Sequence, residues 1–387
     1  MRIVLGPLLV LLAGGALAQS PPHSLPTDHW RQPLAAQGKA PAAWEPIEQS
    51  LKPEDCGQCH GEQYEAWRTS LHAQALSPGL VGQLLDLDAQ ETGECLRCHA
   101  PLAEQAQAFE AARRQKRAHD PKAQGLAASG VVCAACHVRG HRRFGPAERT
   151  SGQTGASAND RPHGGVFRSQ DFSASEFCAV CHQFGQDQAI NGKPLENTLA
   201  EWLASPFAKE GLTCQGCHMP DRRHLWRGIH DPEMTRSGLE VRAQALPDKA
   251  RFALTSVRIG HAFPTYVTPK AMLRAQAEDG TGKPMAGAVA QHVIQRRVTE
   301  KDGVWTELSD TRLLPGQTAT LEIAWGAARR VRFWLEIHPD DFYDHEVYDG
   351  LLAALPKGGP AARLIAKADA EARARRYRLF ETVVERP

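Results

Sequence analysis

Apolar residues follow three different rhythms along this chain. Residues 1–18, MRIVLGPLLVLLAGGALA, carry one cation, Arg2, followed by an apolar run that ends on Ala16-Leu17-Ala18. Gly6-Pro7 and Gly14-Gly15 interrupt the run, and it is short of the roughly 20 residues that a bilayer span needs. A basic start, an apolar middle and a small-x-small end predict a secretory signal cut after Ala18. No later stretch of the sequence is apolar enough to cross a membrane. In "EQYEAWRTSLHAQAL", Tyr64, Trp67, Leu71 and Leu76 recur at helical spacing, which predicts one helix carrying His72. From Leu239 the rhythm changes to period two: Phe252, Leu254 and Ser256, then Val331, Phe333, Leu335 and Ile337, alternate with polar residues. Asp279-Gly280, Asp302-Gly303 and Pro315-Gly316 punctuate these runs. They predict a small antiparallel β-sandwich over residues 239–345, followed by a helix around Ala361–Tyr377.

Cysteine spacing changes the picture between these elements. All ten cysteines fall in pairs with two residues between, and a histidine follows each pair directly: Cys56/Cys59/His60, Cys95/Cys98/His99, Cys133/Cys136/His137, Cys178/Cys181/His182 and Cys214/Cys217/His218. In an exported chain, cysteines first suggest disulfides, but this spacing is that of covalent c-type haem attachment. Two thiols add to the two vinyl groups on one porphyrin edge, and the adjacent histidine then reaches the iron. Tetrahedral zinc sites combine two such pairs and need no histidine after each. Five redox dithiols in one exported chain are equally out of keeping with the pattern. The reading is therefore five c-type haems, with the five motif histidines as proximal ligands. The motif histidines are 36 to 45 residues apart, too uneven for a solenoid array.

The predicted fold class is mainly α with long loops in a pentahaem domain, plus a C-terminal antiparallel β-sandwich and terminal helix. The boundaries are 1–18 for the signal peptide, 19–52 for an N-terminal extended lead, 53–238 for the pentahaem cytochrome c domain, 239–345 for the β-sandwich and 346–387 for a C-terminal helical tail. The stretch Gly145–His163 is polar and Gly/Ser-rich and predicts an exposed loop. Aromatic content is 6%, so porphyrins must supply much of the apolar material of the first domain, and no stable fold is expected without them. Lys and Arg number 45 against 44 Asp and Glu, so the chain is near neutral; loss of Arg2 with the signal makes it formally neutral. Haem propionates turn this into roughly −5 oxidised and −10 reduced.

Twelve of the 17 histidines lie outside the motifs, and at most five are needed as second axial ligands. His72 lies twelve residues beyond His60, better placed for a neighbouring haem than for its own. His224 and His230, in "MPDRRHLWRGIHDPEM", are six apart and suited to different irons: the fourth and fifth, or the second. His261, between Gly260 and Pro264, is held by a rigid turn and is a candidate to close the last iron. After the third motif, His141 and His163 compete, with Gly164-Gly165 allowing close backbone approach at the latter. His119 is a reserve, and His23, His29, His292, His338 and His345 have no motif support. "LAEWLASPFAKEG" from Leu199 repeats the Trp-x-x-Ser pattern of the opening helix, but its counterpart of His72 is Phe207.

Cys-x-x-Cys-His followed by Tyr-x-x-Trp-x-x-Ser-x-His-Ala resembles the first haem segment of multihaem cytochromes of the cytochrome c-552/c-554 type, which are related to hydroxylamine oxidoreductase. "GVVCAACH" at Gly130–His137 resembles the third motif of that family, and "CQGCHMP" at Cys214–Pro220 is common in its larger members. The resemblance covers about residues 53–235. It implies that His72 crosses to a later haem, the third, and that His163 returns to the first. "GHAFPT" around His261 resembles the Gly-His-x-Phe-Pro-Thr motif of multihaem cytochromes with a β-domain.

Three functions fit this reading. The first is a periplasmic electron-transfer protein, soluble after signal cleavage, with mostly bis-histidine haems and other redox proteins as donor and acceptor; a membrane-bound redox partner is one option, and no nucleic-acid partner is expected. The second is a redox enzyme acting on a small nitrogen or sulfur compound at one five-coordinate haem; no histidine in the sequence clearly pairs with His99. Pentahaem nitrite reductases carry Cys-x-x-Cys-Lys at their catalytic haem, and none occurs here. The third is a haem-wire subunit, in which His23 or His29 is donated across a subunit boundary.

Overall fold

Residues 24–147 and 162–387 are described, as a computed structural model. The predicted signal, His23 and residues 148–161 of the polar stretch lie outside the described residues.

Up to Gly238 the chain forms short helices, with two small sheets, one of three strands (Val138–Arg139, Arg142–Pro146 and Phe167–Ser169) and one of two (Ala189–Ile190 and Lys193–Pro194), among the connections. The first motif begins in α1 (Pro53–Gly57), and α2 (Gly61–Arg68) follows at once. α3 (Pro78–Leu84) starts with proline after Ser77, whose hydroxyl accepts the Leu80 N–H at 3.2 Å. At that position proline forfeits no helical hydrogen bond. α4 (Ala89–His99) opens with Asp88 and Glu91 in a reciprocal capping box and ends on the second motif. α5 (Ala103–Arg114) packs Phe109 and Ala112 against Leu84 and Leu96. The third, fourth and fifth motifs occupy α6 (Cys133–His137), α7 (Glu176–His182) and, after α8 (Thr198–Leu203), α9 (Cys214–His218). In the last four motifs the histidine is the final helical residue, so one turn presents both thiols and the imidazole together.

The helix expected to run from Glu62 to Leu76 stops at Arg68. Thr69 Oγ1 donates to the Ala66 carbonyl at 2.9 Å and Ser70 Oγ to the Trp67 carbonyl at 2.7 Å, so hydroxyls occupy the acceptors at the end of the helix. His72 therefore sits in a turn beyond the helix rather than on it.

The second half is a sandwich. Its strands are β1 (Leu239–Ala245), β2 (Lys249–Ser256), β3 (Lys270–Glu278), β4 (Pro284–Ile294), β5 (Arg296–Lys301), β6 (Val304–Asp310), β7 (Thr318–Ala324), β8 (Arg330–His338) and β9 (Tyr377–Glu385). One sheet has the order β7-β2-β1 and the other β9-β8-β3-β4, all antiparallel, with β5-β6 as a separate hairpin. Asp302 and Gly303 close that hairpin, both at positive φ (54° and 79°), as a two-residue turn between twisted strands requires. β2 and β8 alternate buried and half-buried positions, and the Phe252 and Phe333 rings stack at 5.2 Å between the sheets. Leu254, Leu273, Ile294, Leu335 and Ile337 are fully buried, and each such side chain contributes about 1.5–3 kcal/mol by leaving water.

The tail departs from the expectation of helix from 346 to 387. α10 (Pro360–Ala374) forms, but Tyr377–Glu385 is β9, an edge strand paired with β8. Only Leu379 of β9 is fully buried, so its alternation is too faint to read in sequence. α10 docks on α3, where a Cβ on Gly79 would lie 2.0 Å from the Tyr348 hydroxyl and one on Gly82 would lie 2.7 Å from Ile365. A second junction is polar. The buried Arg296 guanidinium donates to Glu307 at 2.8 Å and to the carbonyls of Ile190, Lys193 and Pro194 at 2.7–2.9 Å.

Candidate functional site

The motif-bearing half surrounds a cavity of about 2170 Å³, more than twice the upper end of the ~300–1,000 Å³ usual for one small ligand. All five motif histidines line it, as do His72, His163, His224, His230 and His261. Nine of the ten cysteines line it as well, all but Cys95. Thiols of different motifs lie near one another there: Cys56 beside Cys133, Cys98 beside Cys181 and Cys178 beside Cys214. A large apolar space edged by thiol pairs and imidazoles fits several porphyrins.

Three pairs of imidazoles face one another at similar separations. Ring centres are 6.3 Å apart for His72 and His182, 6.1 Å for His137 and His224, and 6.4 Å for His218 and His261. A metal–imidazole bond is about 2.0–2.1 Å in zinc sites, so two rings on opposite sides of one metal have centres roughly 6 Å apart. His72 thus faces the fourth motif, not the third as the resemblance implied, and His224 faces the third. Burial lowers the pKa of His163, and the charges of Arg143 and then His60 lower it further, although no ring contact joins His163 to His60 among the described residues.

The other ring nitrogen sorts the histidines further. Nδ1–H donates to a backbone carbonyl in His99 (Ala75, 2.8 Å), His137 (Phe144, 2.8 Å), His218 (Arg227, 2.7 Å), His224 (Arg222, 3.0 Å) and His261 (Ala262, 2.9 Å). This fixes the tautomer and leaves Nε2 as the free donor to a metal. In His29, His141 and His338, Nε2 is already bonded, to the Cys136 carbonyl, the Gly38 carbonyl and the Glu336 carboxylate. His230 belongs to this second group, with Nε2 2.9 Å from the Asp340 carboxylate. No imidazole among the described residues makes a ring contact with His99.

Local sequence explains how His72 is held. Trp67 Nε1 donates to the Val131 carbonyl at 2.8 Å, and the Val131 N–H donates to the His72 carbonyl at 2.9 Å. Gly130 has φ 63° and ψ −136°, a region open essentially to glycine alone, and a Cβ there would stand 2.4 Å from the His72 carbonyl oxygen. The glycine of "GVVCAACH" thus lets the third motif approach His72. On the other side, the Trp226 ring lies 4.6 Å from His72 and 5.0 Å from His224. The second Trp-x-x-Ser copy repeats the clamp: Trp202 Nε1 donates to the Leu212 carbonyl at 2.8 Å, and Phe207 packs beside Gly260, next to His261. His163 stands at φ 61°, where its N–H donates to the Glu48 carboxylate at 2.8 Å.

Burial, followed by the neighbouring histidines, pushes His72 down to about 3 and His182 to about 4. Burial likewise lowers His224 and His261 to about 4. These rings are neutral near pH 7, the form that donates to a metal. Sequence reasoning missed the cavity-lining groups Glu196, Tyr266 and Tyr343; Tyr266 directly follows the GHAFPT stretch, which is the one local signal that pointed to it.

Residues 55–138 match the family described as cytochrome c554 and c-prime. Among solved structures, the chain is similar to a penta-heme cytochrome c552 from Thermochromatium tepidum, with a TM-score of 0.58 and 20% identity over 88% of this chain and 100% of that one. No curated protein matches the sequence. The cavity of thiols and imidazoles thus belongs to a chain that shares the fold of a penta-heme cytochrome and, over residues 55–138, resembles the cytochrome c554 family.

Proposed function

We propose that this chain is a periplasmic pentahaem cytochrome, exported by the signal at 1–18, that relays electrons between other redox proteins. The observation that carries the reading is the meeting of ten histidines and nine motif cysteines in one cavity, three imidazole pairs being spaced for one metal each. Haem supplies one-electron redox chemistry at such sites. His60, His99, His137, His182 and His218 hold the five irons from the motif side. His72, His224 and His261 complete the fourth, third and fifth, and His163 completes the first. The neighbouring thiols support an order running from the first motif to the third, and from the second through the fourth to the fifth. Among the described residues no helix is long and apolar enough to cross a membrane. The organisation into a lead (19–52), a haem domain (53–238), a sandwich (239–345) and a tail remains the working division, with β9 returning the tail to the sandwich.

A second reading is favoured by one specific observation. Among the described residues no imidazole stands opposite His99, and His230, the remaining cavity histidine, has its Nε2 bonded to Asp340. We take the second haem to be five-coordinate and open to a small nitrogen or sulfur compound. Low-temperature electron paramagnetic resonance of the oxidised protein tests both readings. Four low-spin haems and one high-spin haem are expected, and five low-spin signals would remove the second reading while leaving the first.

A further inference from the structure

One tryptophan touches two of the imidazoles that face motif histidines. Trp226 lines the cavity. Its ring stands edge-to-face on both His72 and His224, with centres 4.6 and 5.0 Å away and planes inclined at 66° and 88°. Edge-to-face contact at about 4.5–7 Å is a favoured geometry of aromatic pairs, because the positive edge of one ring meets the negative face of the other. Such a contact resists rotation of either ring. His72 faces His182 at 6.3 Å and His224 faces His137 at 6.1 Å. Trp226 therefore stands between imidazoles that serve two different motifs, the fourth and the third.

The backbone is bent to put it there. Trp226 has φ 42°, a conformation that bulky residues rarely adopt and that persists only where the surroundings impose it. Two sets of hydrogen bonds do so. The Trp226 N–H donates to the His218 carbonyl at 3.0 Å and His218 Nδ1 donates to the Arg227 carbonyl at 2.7 Å, which pins the segment to the fifth motif. The Arg227 guanidinium donates to the Thr69 carbonyl at 2.7 Å and to Thr69 Oγ1 at 2.9 Å, which pins it to the turn carrying His72. Other tryptophans of this half act differently. Trp67 and Trp202 use Nε1 to hold backbone carbonyls, those of Val131 and Leu212. Trp44 lies 6.2 Å from His141 and 6.1 Å from His163, but the Gly38 carbonyl already engages His141 Nε2. Among the described residues Trp226 is the one tryptophan in ring contact with two imidazoles that each face a motif histidine.

We propose that Trp226 is a positioning residue that fixes the ring planes of His72 and His224 together, so that the third and fourth haems are set as one unit. The proposal rests on the reading in which His72 and His182 share the fourth iron and His137 and His224 the third. Neighbouring thiols divide the motifs into two groups, the first with the third and the second with the fourth and fifth. Trp226 spans these groups. The facing imidazoles are inclined at 49° in the fourth pair, 37° in the third and 12° in the fifth. That angle selects the iron orbital that holds the unpaired electron of a ferric haem, so one side chain holding two planes tunes two irons at once.

The test is low-temperature electron paramagnetic resonance of the oxidised holoprotein, since the g-values of a low-spin ferric haem report the angle between its imidazole planes. His72→Met, His224→Met and His261→Met first assign the signals of the fourth, third and fifth haems, each altering one signal. Trp226→Ala is then expected to shift the largest g-value of the third and fourth haems and to leave the fifth in place. Trp226→Leu, which keeps apolar bulk without a ring, should do the same with all haems still attached by mass spectrometry. The third haem should shift less, because His224 is also held by its Nδ1 bond to the Arg222 carbonyl at 3.0 Å. Trp226→Phe restores a ring edge and should bring both signals back towards their native positions. If His72→Met or His224→Met alters no signal, the ligand reading fails and the proposal with it. If both assignments succeed but Trp226→Leu moves neither signal, or only one, the shared clamp alone is overturned. A shift that extends to the fifth haem, or that phenylalanine does not reverse, also overturns it and leaves Trp226 a packing role.

Discussion

The two halves of this molecule solve the problem of a core in opposite ways. The sandwich is closed by its own side chains: Leu254, Leu273, Phe333, Leu335 and Ile337 are fully buried, and Phe252 stacks on Phe333 across the sheets. The motif-bearing half instead surrounds a cavity of about 2170 Å³, and its apolar clusters are small satellites such as Leu84, Leu96 and Phe109. Short helices of five to twelve residues there cannot sustain themselves in water. One half is therefore specified by apolar periodicity, and the other by where its cysteines and histidines must meet.

The sharpest way to break this contrast is to prevent haem attachment in the whole chain. Far-ultraviolet circular dichroism should then lose most of its helix, while limited proteolysis leaves a resistant fragment starting near Leu239. An intact, cooperatively unfolding haem-free protein would contradict the contrast outright. Next in size, Leu335→Ala should cost about 2–5 kcal/mol in denaturant unfolding and leave the haem spectrum as it was. Gly130→Ala should act the other way. It should cost about 1–3 kcal/mol as a strained backbone position, and it should perturb the low-spin signal assigned to the His72–His182 pair. An unchanged spectrum would detach His72 from that role.

The smallest effect lies at the polar junction between the halves. Burial alone would raise Asp310 and Glu307, but hydrogen bonds and charge from Arg312 and Lys193 on the first, and from Asn191, Lys193 and Arg296 on the second, hold both below the usual carboxylate range. Because their folded pKa is depressed, the stabilisation is present above the ordinary carboxylate pKa and is lost as pH falls below about 4. Thermal unfolding should show the junction loosening there, by less in Asp310→Asn than in the unaltered protein.

The geometry of the motifs was legible because it is local: two thiols and a histidine on one helical turn are contiguous in sequence. The sandwich was legible because β2 and β8 alternate cleanly, whereas β9 was not, since an edge strand with only Leu379 buried has little pattern to show. The partners of the motif histidines were legible as residue types but not as pairs. His72 was assigned to the third haem on resemblance, yet it faces His182, because its helix ends early at Thr69 and Ser70 and the Gly130 contact redirects the chain. His230 looked as eligible as His224 until Asp340, 110 residues away, engaged its Nε2. Glu196, Tyr266 and Tyr343 carry no mutual signal, since only the fold brings them to the cavity wall.

The neighbouring thiols of different motifs also constrain how the protein must be made. Cys56 and Cys133, Cys98 and Cys181, and Cys178 and Cys214 are neighbours in the collapsed chain, so an oxidant that reached them unloaded would have thiols of two motifs to join. Each such cross-link would consume one thiol from two motifs and disable both. On the haem-binding function proposed above, loading must outrun collapse, and the fold's compactness, useful to the finished molecule, is a hazard to the nascent one.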